Sequence, residues 1–326
     1  MMKAVVCEAF APLTDLKIGE FDSPLPAPGS LIVNVCAAGV NFPDVLIVQG
    51  KYQTKPITPF VPGCEAAGVV KAVGEGVTRF KTGDRVVAFT GIGAFAAETM
   101  VSQDHAYLLP EGIEFETAAG VLITYGTSYH ALKDRGALKP GETLLVLGAA
   151  GGVGLTAVEL GARMGARVIA AASSPEKLAL ASRHGAHELI DYSKEDLRER
   201  VKAITGGKGV DVVYDPVGGE MSPAALKTLS WGGRLLVIGF ANGTIPSIPA
   251  NLLLLKSASA VGVLWGNSLR ADPAPHAANI DQILRWILDG SLKPEIEACF
   301  PMERAIEALQ HLEGRQAKGK IILTMA

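Results

Sequence analysis

The chain has 326 residues, of which 48% are apolar and 19% are charged, and its formal net charge is -3. This length and apolar content predict two compact domains, each with a sizeable core. The slightly negative charge leaves no basic surface for a phosphate backbone, so nucleic acid is not expected as a partner.

The cysteines and the N-terminus indicate the cellular compartment. Four cysteines lie far apart and form no CxxC pair: Cys7, Cys36, Cys64 and Cys299. This spacing favours reduced thiols over a disulfide framework or a zinc knuckle. The N-terminus lacks the long apolar region of a signal peptide, and Lys256 interrupts the most apolar later stretch before it reaches membrane-spanning length. We expect a soluble, cytoplasmic protein without a membrane partner.

Short β-branched runs separated by Gly and Pro fill roughly the first 120 residues. They predict strands of an antiparallel barrel or sandwich at Lys3–Glu8, Leu31–Ala37, Ala66–Val73, Arg85–Ala88 and Ala94–Val101.

From about Gly120 onward, helical patterns alternate with fully apolar strands, which indicates βαβ units on a buried parallel sheet. Six strands are predicted, the full Rossmann complement: Thr143–Leu147, Arg167–Ala172, Glu188–Ile190, Val210–Tyr214, Arg234–Ile238 and Ala258–Val263. Between them we predict helices at Val153–Met164, Pro175–Arg183, Lys194–Ile204, Met221–Leu229 and Pro249–Leu255. The tail adds a helix at Pro273–Leu288, a strand near Pro294–Phe300, a helix at Met302–Leu312 and a strand at Lys320–Thr324.

A glycine cluster follows the first of these six strands. The segment Gly-Ala-Ala-Gly-Gly-Val-Gly ends at Gly154 and fits GxGxxG with Ala149 in the first place and Gly151 in the second. Glycine at 151 lets the backbone approach a pyrophosphate, and glycine at 154 lets the next helix pack close to the strand. A glycine cluster alone also occurs in plain turns, but the strand, the helix and the five further strands predict a dinucleotide site.

The end of the second Rossmann strand indicates which dinucleotide is bound. An acidic residue there would hold the ribose 2′-hydroxyl of NAD, but this sequence has Ala172, followed by Ser173 and Lys177. A hydroxyl and an ammonium suit a 2′-phosphate, so NADPH is predicted. Ser174 and Pro175 also fit a plain helix N-terminus, and Lys177 also fits a solvated helix residue. That alternative does not explain the missing acid.

Several segments together resemble the medium-chain dehydrogenase/reductase superfamily, and within it the zinc-free, zeta-crystallin-like NADPH:quinone oxidoreductases. The matching segments lie in the family's order along nearly the whole chain: residues 38–44, 62–70, 73–77, 83–86, the glycine turn and residues 314–320. The resemblance implies an α/β protein with a GroES-like β-rich catalytic domain and a six-stranded Rossmann domain. Its boundaries are expected at 1–122 for the first part of the catalytic domain, 123–264 for the Rossmann domain and 265–326 for the returning segment. It also implies a cleft between the domains and a homodimer paired through the Rossmann sheets.

Zinc separates the branches of this superfamily. Asn41 stands where the first ligand cysteine of the alcohol dehydrogenases would fall, and Cys64 replaces their histidine. Glu65 and one thiol do not make a tetrahedral site, and the four-cysteine structural loop is absent between Ala88 and Pro110. No metal is therefore predicted, and an acceptor that is already electrophilic is favoured over an alcohol.

By resemblance, three polar residues line the acceptor pocket: Asn41, Asp44 and Tyr52. Tyr52 is the predicted hydrogen-bond donor to the acceptor oxygen, and Asp44 has a supporting role. Tyr52 could instead be a loop aromatic with its hydroxyl in water, and Asp44 a structural carboxylate. The predicted cofactor residues are Thr127, Gly151, Gly152, Val153, Gly154, Ser173, Lys177, Tyr192, Phe240, Leu264, Arg315 and Lys320. The bulky Trp265 leaves the acceptor size open.

The predicted function is hydride transfer from NADPH to a quinone or similar conjugated carbonyl. An enoyl or alkenal reductase of the same architecture is the first alternative, since a tyrosine near the substrate would serve it as a proton donor. A crystallin-like or RNA-binding protein that keeps NADPH with little turnover is the second, and the acidic charge counts against RNA.

Overall fold

The computed structural model of the protein describes residues 1–314 and 317–325. Fifteen strands occur in these residues: β1 (Met2–Val6), β2 (Lys17–Phe21), β3 (Ser30–Val40), β4 (Glu65–Val73), β5 (Arg85–Phe89), β6 (Glu98–Ser102), β7 (Ala106–Leu108), β8 (Thr143–Leu147), β9 (Arg167–Ala172), β10 (Glu188–Asp191), β11 (Val210–Asp215), β12 (Leu229–Val237), β13 (Ser259–Gly262), β14 (Ile296–Pro301) and β15 (Lys320–Thr324).

The same residues contain eleven α-helices: α1 (Phe42–Val48), α2 (Phe115–Ala119), α3 (Thr127–Tyr129), α4 (Gly152–Arg163), α5 (Pro175–Arg183), α6 (Leu197–Ile204), α7 (Met221–Leu226), α8 (Ala250–Lys256), α9 (Trp265–Ala271), α10 (Pro273–Leu288) and α11 (Ala305–Glu313). The short α3 lies between two π-helical segments, Leu122–Gly126 and His130–Arg135. Single 3₁₀ turns occur at Leu13–Asp15, Gln103–His105 and Met302–Arg304. No helix of the described residues is long and apolar enough to cross a bilayer.

The chain divides into two compact units. The first unit consists of residues 1–123 and 266–326, and the second consists of residues 124–265. The first unit is thus assembled from both ends of the chain.

A seven-stranded sheet forms the framework of the first unit. Its main order is β14-β15-β3-β4-β5-β7, and β6 pairs with β3 beside this path. All of its pairs are antiparallel except β14 with β15. The returning strand β15 pairs with β3, so that Ile321 lies opposite Val40. Leu31, Val33, Val70 and Val86 contribute to the apolar core on this sheet.

The second unit is a six-stranded parallel sheet in the order β10-β9-β8-β11-β12-β13. With β8 as its first strand this is the Rossmann order, in which the chain reverses direction between β8 and β11. Ligands bind at the carboxyl ends of the strands near such a reversal. The architecture of the two units confirms the α/β fold class, with a β-rich unit and a parallel Rossmann sheet.

Strand β13 forms one edge of the Rossmann sheet and is open to solvent. Ser259, Ala260 and Gly262 are exposed, and Val261 is half-buried. Leu254 and Leu255 on the adjacent helix α8 are also exposed.

Several predicted elements have different bounds in the structure, and for three of them the cause is a specific contact or a neighbouring element. The strand predicted from Ala94 begins only at Glu98, because the Ala94 and Phe95 amides donate to the carbonyls of Gly63 and Pro62. The helix predicted from Lys194 begins at Leu197, because the Asp196 carboxylate accepts from the Glu199 amide and caps it. The helix predicted to end at Leu229 ends at Leu226, since β12 begins at Leu229.

Candidate active site

Five polar side chains meet in the interior of the first unit. Asn41 lies between β3 and α1, Asp44 is in the first turn of α1, Cys64 and Glu65 lie at the start of β4, and Lys320 begins β15. All five are buried, and Asp44 and Glu65 have no exposed surface. We call these five residues the polar cluster. Because the sheet places β15 beside β3 and β3 beside β4, residues from three distant parts of the chain converge here.

An ion pair lies at the centre of the polar cluster. Lys320 Nζ donates to Glu65 Oε1 and to Asn41 Oδ1, each at 2.6 Å. Asn41 Nδ2 donates to the same Glu65 oxygen at 2.9 Å and to the carbonyl of Gly39 at 3.1 Å. The other carboxylate oxygen of Glu65 accepts from the amide of Ile123 at 2.9 Å. The buried charges are therefore both paired and hydrogen-bonded, which is the condition for tolerating them in a core.

Asp44 is the second carboxylate of the polar cluster. Its carboxylate accepts from the Cys64 thiol at 2.7 Å and from the backbone amide of Asn41 at 2.8 Å. Burial raises the pKa of Asp44 to about 6, although the hydrogen bonds from Cys64 and Asn41 and the charge of Lys320 oppose the rise. Burial, followed by the charge of Asp44, raises the pKa of the Cys64 thiol well above its ordinary value. Cys64 therefore stays a thiol and acts as a donor.

The contacts of the polar cluster bear on three of the predicted site residues. The side-chain amide of Asn41 donates two hydrogen bonds and accepts one within the protein. Both carboxylate oxygens of Asp44 also accept hydrogen bonds. Lys320 was predicted to bind the cofactor, but its ammonium donates to Asn41 and Glu65 within the first unit. These three side chains act on their neighbours inside the unit, and any contact with a substrate or cofactor remains a prediction.

Tyr52 differs from the polar cluster because its hydroxyl is free. The side chain is half-buried, and within residues 1–314 and 317–325 its hydroxyl has no hydrogen-bond partner. Burial raises the pKa of Tyr52 above its ordinary value, and Cys64 and Asp44 raise it further. The hydroxyl thus stays protonated at neutral pH and can donate a hydrogen bond.

The polar cluster does not suit a catalytic zinc ion. Zinc requires deprotonated thiols, carboxylates or imidazoles in a tetrahedron. Here the Cys64 thiol donates to Asp44, and the ammonium of Lys320 already neutralises Glu65. An ammonium at hydrogen-bond distance from the carboxylate would repel a divalent cation.

The glycine turn of the second unit joins β8 to α4. Gly148 has a positive φ of 58°, Gly151 is the exposed N-cap of α4, and no side chain caps this helix end. A Cβ on Gly154 would lie 2.2 Å from the carbonyl oxygen of Gly148, whereas the nearest atom to a Cβ on Gly151 is 3.5 Å away. Gly154 therefore sets the close packing of helix and turn. The uncapped amides at Gly152 and Val153 suit the pyrophosphate of a dinucleotide.

The carboxyl ends of β9 and β10 carry the residues predicted to contact the adenosine ribose. Ala172 is buried at the end of β9, Ser173 is exposed, and Lys177 is half-buried in the first turn of α5. Ser174 caps α5 by accepting from the backbone amide of Lys177 at 3.4 Å, which confirms the interpretation that Ser174 belongs to a helix N-terminus. The Tyr192 amide donates to the Ala172 carbonyl at 3.1 Å, which brings this half-buried ring to the same edge.

The other predicted cofactor residues are distributed over the second unit. Thr127 begins α3 and is half-buried, Phe240 follows β12 beside Gly218, and Leu264 follows β13 and is exposed. Arg315 lies outside the described residues.

Two polar groups near the glycine turn were not predicted from the sequence. Ser128 Oγ lies 2.9 Å from the carbonyl oxygen of Val153 and 2.7 Å from the Tyr214 hydroxyl, which fixes α3 to the first turn of α4. Asp215 accepts from the amides of Val217 and Gly218 and shapes the loop after β11. The Asp-Pro-Val-Gly-Gly segment is a turn signal that could have revealed Asp215. No pattern marks Ser128.

Comparisons with known proteins agree with this geometry. The profile described as "Alcohol dehydrogenase GroES-like domain" matches residues 27–111, and the profile described as "Zinc-binding dehydrogenase" matches residues 152–282. The "Quinone oxidoreductase-like protein 2 homolog" of Nematostella vectensis is 42% identical over 294 residues, covering 89% of this chain and 80% of the relative.

Two solved structures are similar over almost their whole length. The quinone oxidoreductase of Pseudomonas syringae pv. Tomato DC3000 is 33% identical with a TM-score of 0.94, covering 99% of this chain and 100% of that one. The Escherichia coli quinone oxidoreductase, solved in complex with NADPH, is 32% identical with a TM-score of 0.91, covering 99% of both chains. The chain belongs to the quinone oxidoreductase family of the medium-chain dehydrogenase/reductase superfamily. This membership confirms the resemblance inferred from the sequence motifs. The profile whose description names zinc binding matches residues 152–282, which contain none of the residues of the polar cluster.

Proposed function

We propose that this protein is an NADPH-dependent oxidoreductase that reduces a quinone or a similar conjugated carbonyl without zinc. The observation that carries the proposal is the combination of a glycine turn that opens an uncapped helix with a polar cluster in which the Lys320 ammonium neutralises Glu65 and leaves no set of metal ligands. The quinone oxidoreductase relatives, which match the chain over nearly its whole length, support it.

The second unit supplies the cofactor site. Amides at the start of α4 would bind the pyrophosphate, and Ser173, Lys177 and Tyr192 would surround the 2′-phosphate. Ala172 leaves no carboxylate at the end of β9 to repel that phosphate or to select the ribose hydroxyl of NAD. When bound, NADPH supplies a hydride, which is two electrons and a proton.

The first unit supplies the acceptor's polar surroundings. Hydride addition places negative charge on the carbonyl oxygen of the acceptor, and a well-placed donor stabilises that charge. Tyr52 would be this donor, because its raised pKa keeps the proton on the hydroxyl. Asn41 and Asp44 have positioning roles, since they hold α1 and the start of β4 through hydrogen bonds. The reaction consumes NADPH, the acceptor and one proton, and yields NADP⁺ and the hydroquinone.

An acceptor screen tests the proposed function. Purified protein is incubated with NADPH and, separately, with naphthoquinone, a 2-alkenal and an enoyl-coenzyme A, while NADPH absorbance is followed. Turnover with the quinone is expected. Turnover with the alkenal or the thioester alone would make the protein a carbon–carbon double-bond reductase, and no turnover with any acceptor would leave a binding role.

The cofactor preference has its own test. Lys177→Glu places a like charge beside the predicted 2′-phosphate, so the Kd of NADPH should rise by about tenfold or more while that of NADH changes little. Lys202→Glu, at an exposed position of α6 in the same unit, is the matched control. Equal effects on both dinucleotides would contradict this placement of the phosphate.

We also propose that the protein is a homodimer joined through β13. An exposed edge strand is a template for pairing, and two-fold pairing of identical edges closes it. Light scattering should give a dimer at micromolar concentration, and Val261→Lys should give a monomer. Ile57→Lys, at an exposed apolar position of the first unit, should remain a dimer. A monomeric native protein would contradict the proposal.

We propose a cytosolic location, because the four cysteines are free thiols. Cell fractionation with a tagged chain tests it, and recovery in an oxidising compartment would contradict it.

A further inference from the structure

Arg270 on α9 is held in place by a ring and a glycine. Its guanidinium carbon lies 5.3 Å from the centroid of the Phe89 ring, at the end of β5. Gly91 follows in the next loop with a φ of 75°, and a Cβ there would lie 2.9 Å from Nη2 of Arg270. The loop therefore leaves room for the guanidinium because residue 91 is glycine.

The loop that supports Arg270 is attached to the polar cluster. Phe89 lies opposite Glu65 in the pairing of β5 with β4. The amides of Thr90 and Gly91 donate to the Cys64 carbonyl at 2.8 and 3.2 Å, and the Cys64 thiol in turn donates to Asp44. One layer of residues thus separates Arg270 from the polar cluster.

The charge of Arg270 also reaches Tyr52. Among the influences on the pKa of Tyr52, burial is the largest and raises it, and the positive charge of Arg270 lowers it. The free hydroxyl of Tyr52 and the guanidinium of Arg270 therefore lie within electrostatic reach of each other in the first unit.

Arg270 has no carboxylate partner in the described part of the chain. Its one side-chain hydrogen bond is to Asn267 Oδ1 at 3.1 Å, and its side chain is exposed. Two other arginines of the first unit are neutralised, Arg304 by Glu307 and Arg79 by Asp104 at 3.8 Å. A guanidinium has five donors in a fixed fork that matches carboxylate, sulfonate and phosphate oxygens. Most of the donors of Arg270 remain available.

We propose that Arg270 is a specificity residue that binds an anionic group on the acceptor, so that the preferred substrates are conjugated carbonyls carrying a carboxylate, sulfonate or phosphate. The proposal rests on the proposed function and names its substrate class. Arg270 takes no part in the electron or proton transfer. It lowers the KM of anionic acceptors by a charge-assisted hydrogen bond.

Matched acceptors and matched arginine variants test the proposal. The probes are naphthoquinone, which is neutral, and naphthoquinone sulfonate, which carries one negative charge. Arg270→Gln should lower kcat/KM for the sulfonate on the order of tenfold, mainly through KM, and change the value for the neutral quinone by less than about twofold. Arg270→Lys should recover part of the loss. Since each variant is compared with the native protein on the same probe, the different reactivities of the two quinones cancel.

Arg79→Gln is the control, because Arg79 also lies over a ring in the first unit, 5.4 Å from the Phe80 centroid, but is ion-paired. It should change neither probe. Two further acceptors distinguish the source of the anion. A loss of kcat/KM for oxopentenoate in Arg270→Gln would show that Arg270 binds a carboxylate. A loss of kcat/KM for crotonyl-coenzyme A in the same variant would show that it binds a phosphate.

Equal effects of Arg270→Gln on both quinones, or none on either, would overturn the proposal while turnover of the neutral quinone upholds the proposed function. Native protein that reduces no acceptor of the set would overturn both.

Discussion

The ammonium of Lys320 lies 2.6 Å from the carboxylate of Glu65, although 255 positions separate the two residues in the chain. Both side chains are buried. This pair joins the returning strand β15 to β4, and Asn41 joins it from the end of β3. The contact therefore has two consequences, one for the stability of the first unit and one for the chemistry of its interior.

Removing the ammonium should destabilise the protein strongly. Lys320→Met leaves the Glu65 carboxylate buried without its counter-charge, and such losses typically cost about 3–5 kcal/mol. Urea unfolding followed by fluorescence measures the change. Lys55→Met, at an exposed position of the same unit, should change the free energy of unfolding by less than about 0.5 kcal/mol. A loss below about 1 kcal/mol for Lys320→Met would show that Glu65 finds another partner or is protonated.

The buried carboxyl of Asp44 should make stability depend on pH. Its pKa is raised from an ordinary 3.8 to about 6 in the folded protein, so between these values the folded state binds more protons than the unfolded state. The free energy of unfolding therefore falls as pH rises through this window, by up to about 3 kcal/mol from this group.

Asp44→Asn isolates that contribution. The variant loses one hydrogen bond at every pH but has no carboxyl group to titrate. As pH rises from 4 to 7, the difference in free energy of unfolding between variant and native protein should therefore shift in favour of the variant. Urea unfolding across this range measures the difference. A difference that is constant with pH would mean that Asp44 titrates alike in the folded and unfolded states.

Local pattern predicted much of the fold. Thr143–Leu147, Arg167–Ala172, Pro175–Arg183, Pro273–Leu288 and Lys320–Thr324 have the predicted bounds, since each is a strongly apolar or periodic run with a clear cap or turn.

Elements that depend on tertiary contacts were missed. Helix α1 contains the segment Val45–Val48, in which three of the four residues are β-branched and favour a strand. The Asp44 carboxylate nevertheless holds the N-terminus of the helix by accepting from the Asn41 backbone amide. Strands β2 and β7 are short and were not predicted.

The candidate site was predicted only in its residue types. The motifs and the family resemblance indicated Asn41, Asp44 and Lys320, but they could not place Lys320 beside Glu65, because this contact depends on the pairing of β15 with β3. Arg270 carried no motif. Its position follows from Phe89 and Gly91, which lie far from it in sequence.

Two glycines of the turn before α4 should have separable roles. Gly154→Ala would place a methyl group 2.2 Å from the Gly148 carbonyl oxygen, so it should displace α4 and lower both stability and NADPH affinity. Gly151→Ala has ordinary contact distances within the protein, so the fold should remain while NADPH binding weakens because the pyrophosphate needs this space. Thermal unfolding and fluorescence titration with NADPH distinguish the two. Equal affinity for NADPH in Gly151→Ala and the native protein would contradict the assigned phosphate site.

Deleting the Tyr52 hydroxyl should slow turnover without disturbing the fold. Tyr52→Phe keeps the ring, and the loss of one preorganised donor typically costs on the order of 10²-fold in turnover. A quinone is a strong acceptor and should lose less, whereas an enone, which also needs a proton at carbon, should lose more. Steady-state kinetics with both acceptors measure the ratio, and NADPH affinity is the internal control. Unchanged turnover with both would leave Tyr52 as part of the pocket wall.

The decisive measurement is steady-state reduction of naphthoquinone by protein that has been exhaustively treated with a chelator. We expect saturable turnover that is insensitive to the chelator, forms one hydroquinone for each NADPH consumed, and has a kcat/KM for NADPH at least about tenfold above that for NADH. Activity that is lost with the chelator and restored by zinc, or an absence of NADPH turnover with the quinone, would contradict it.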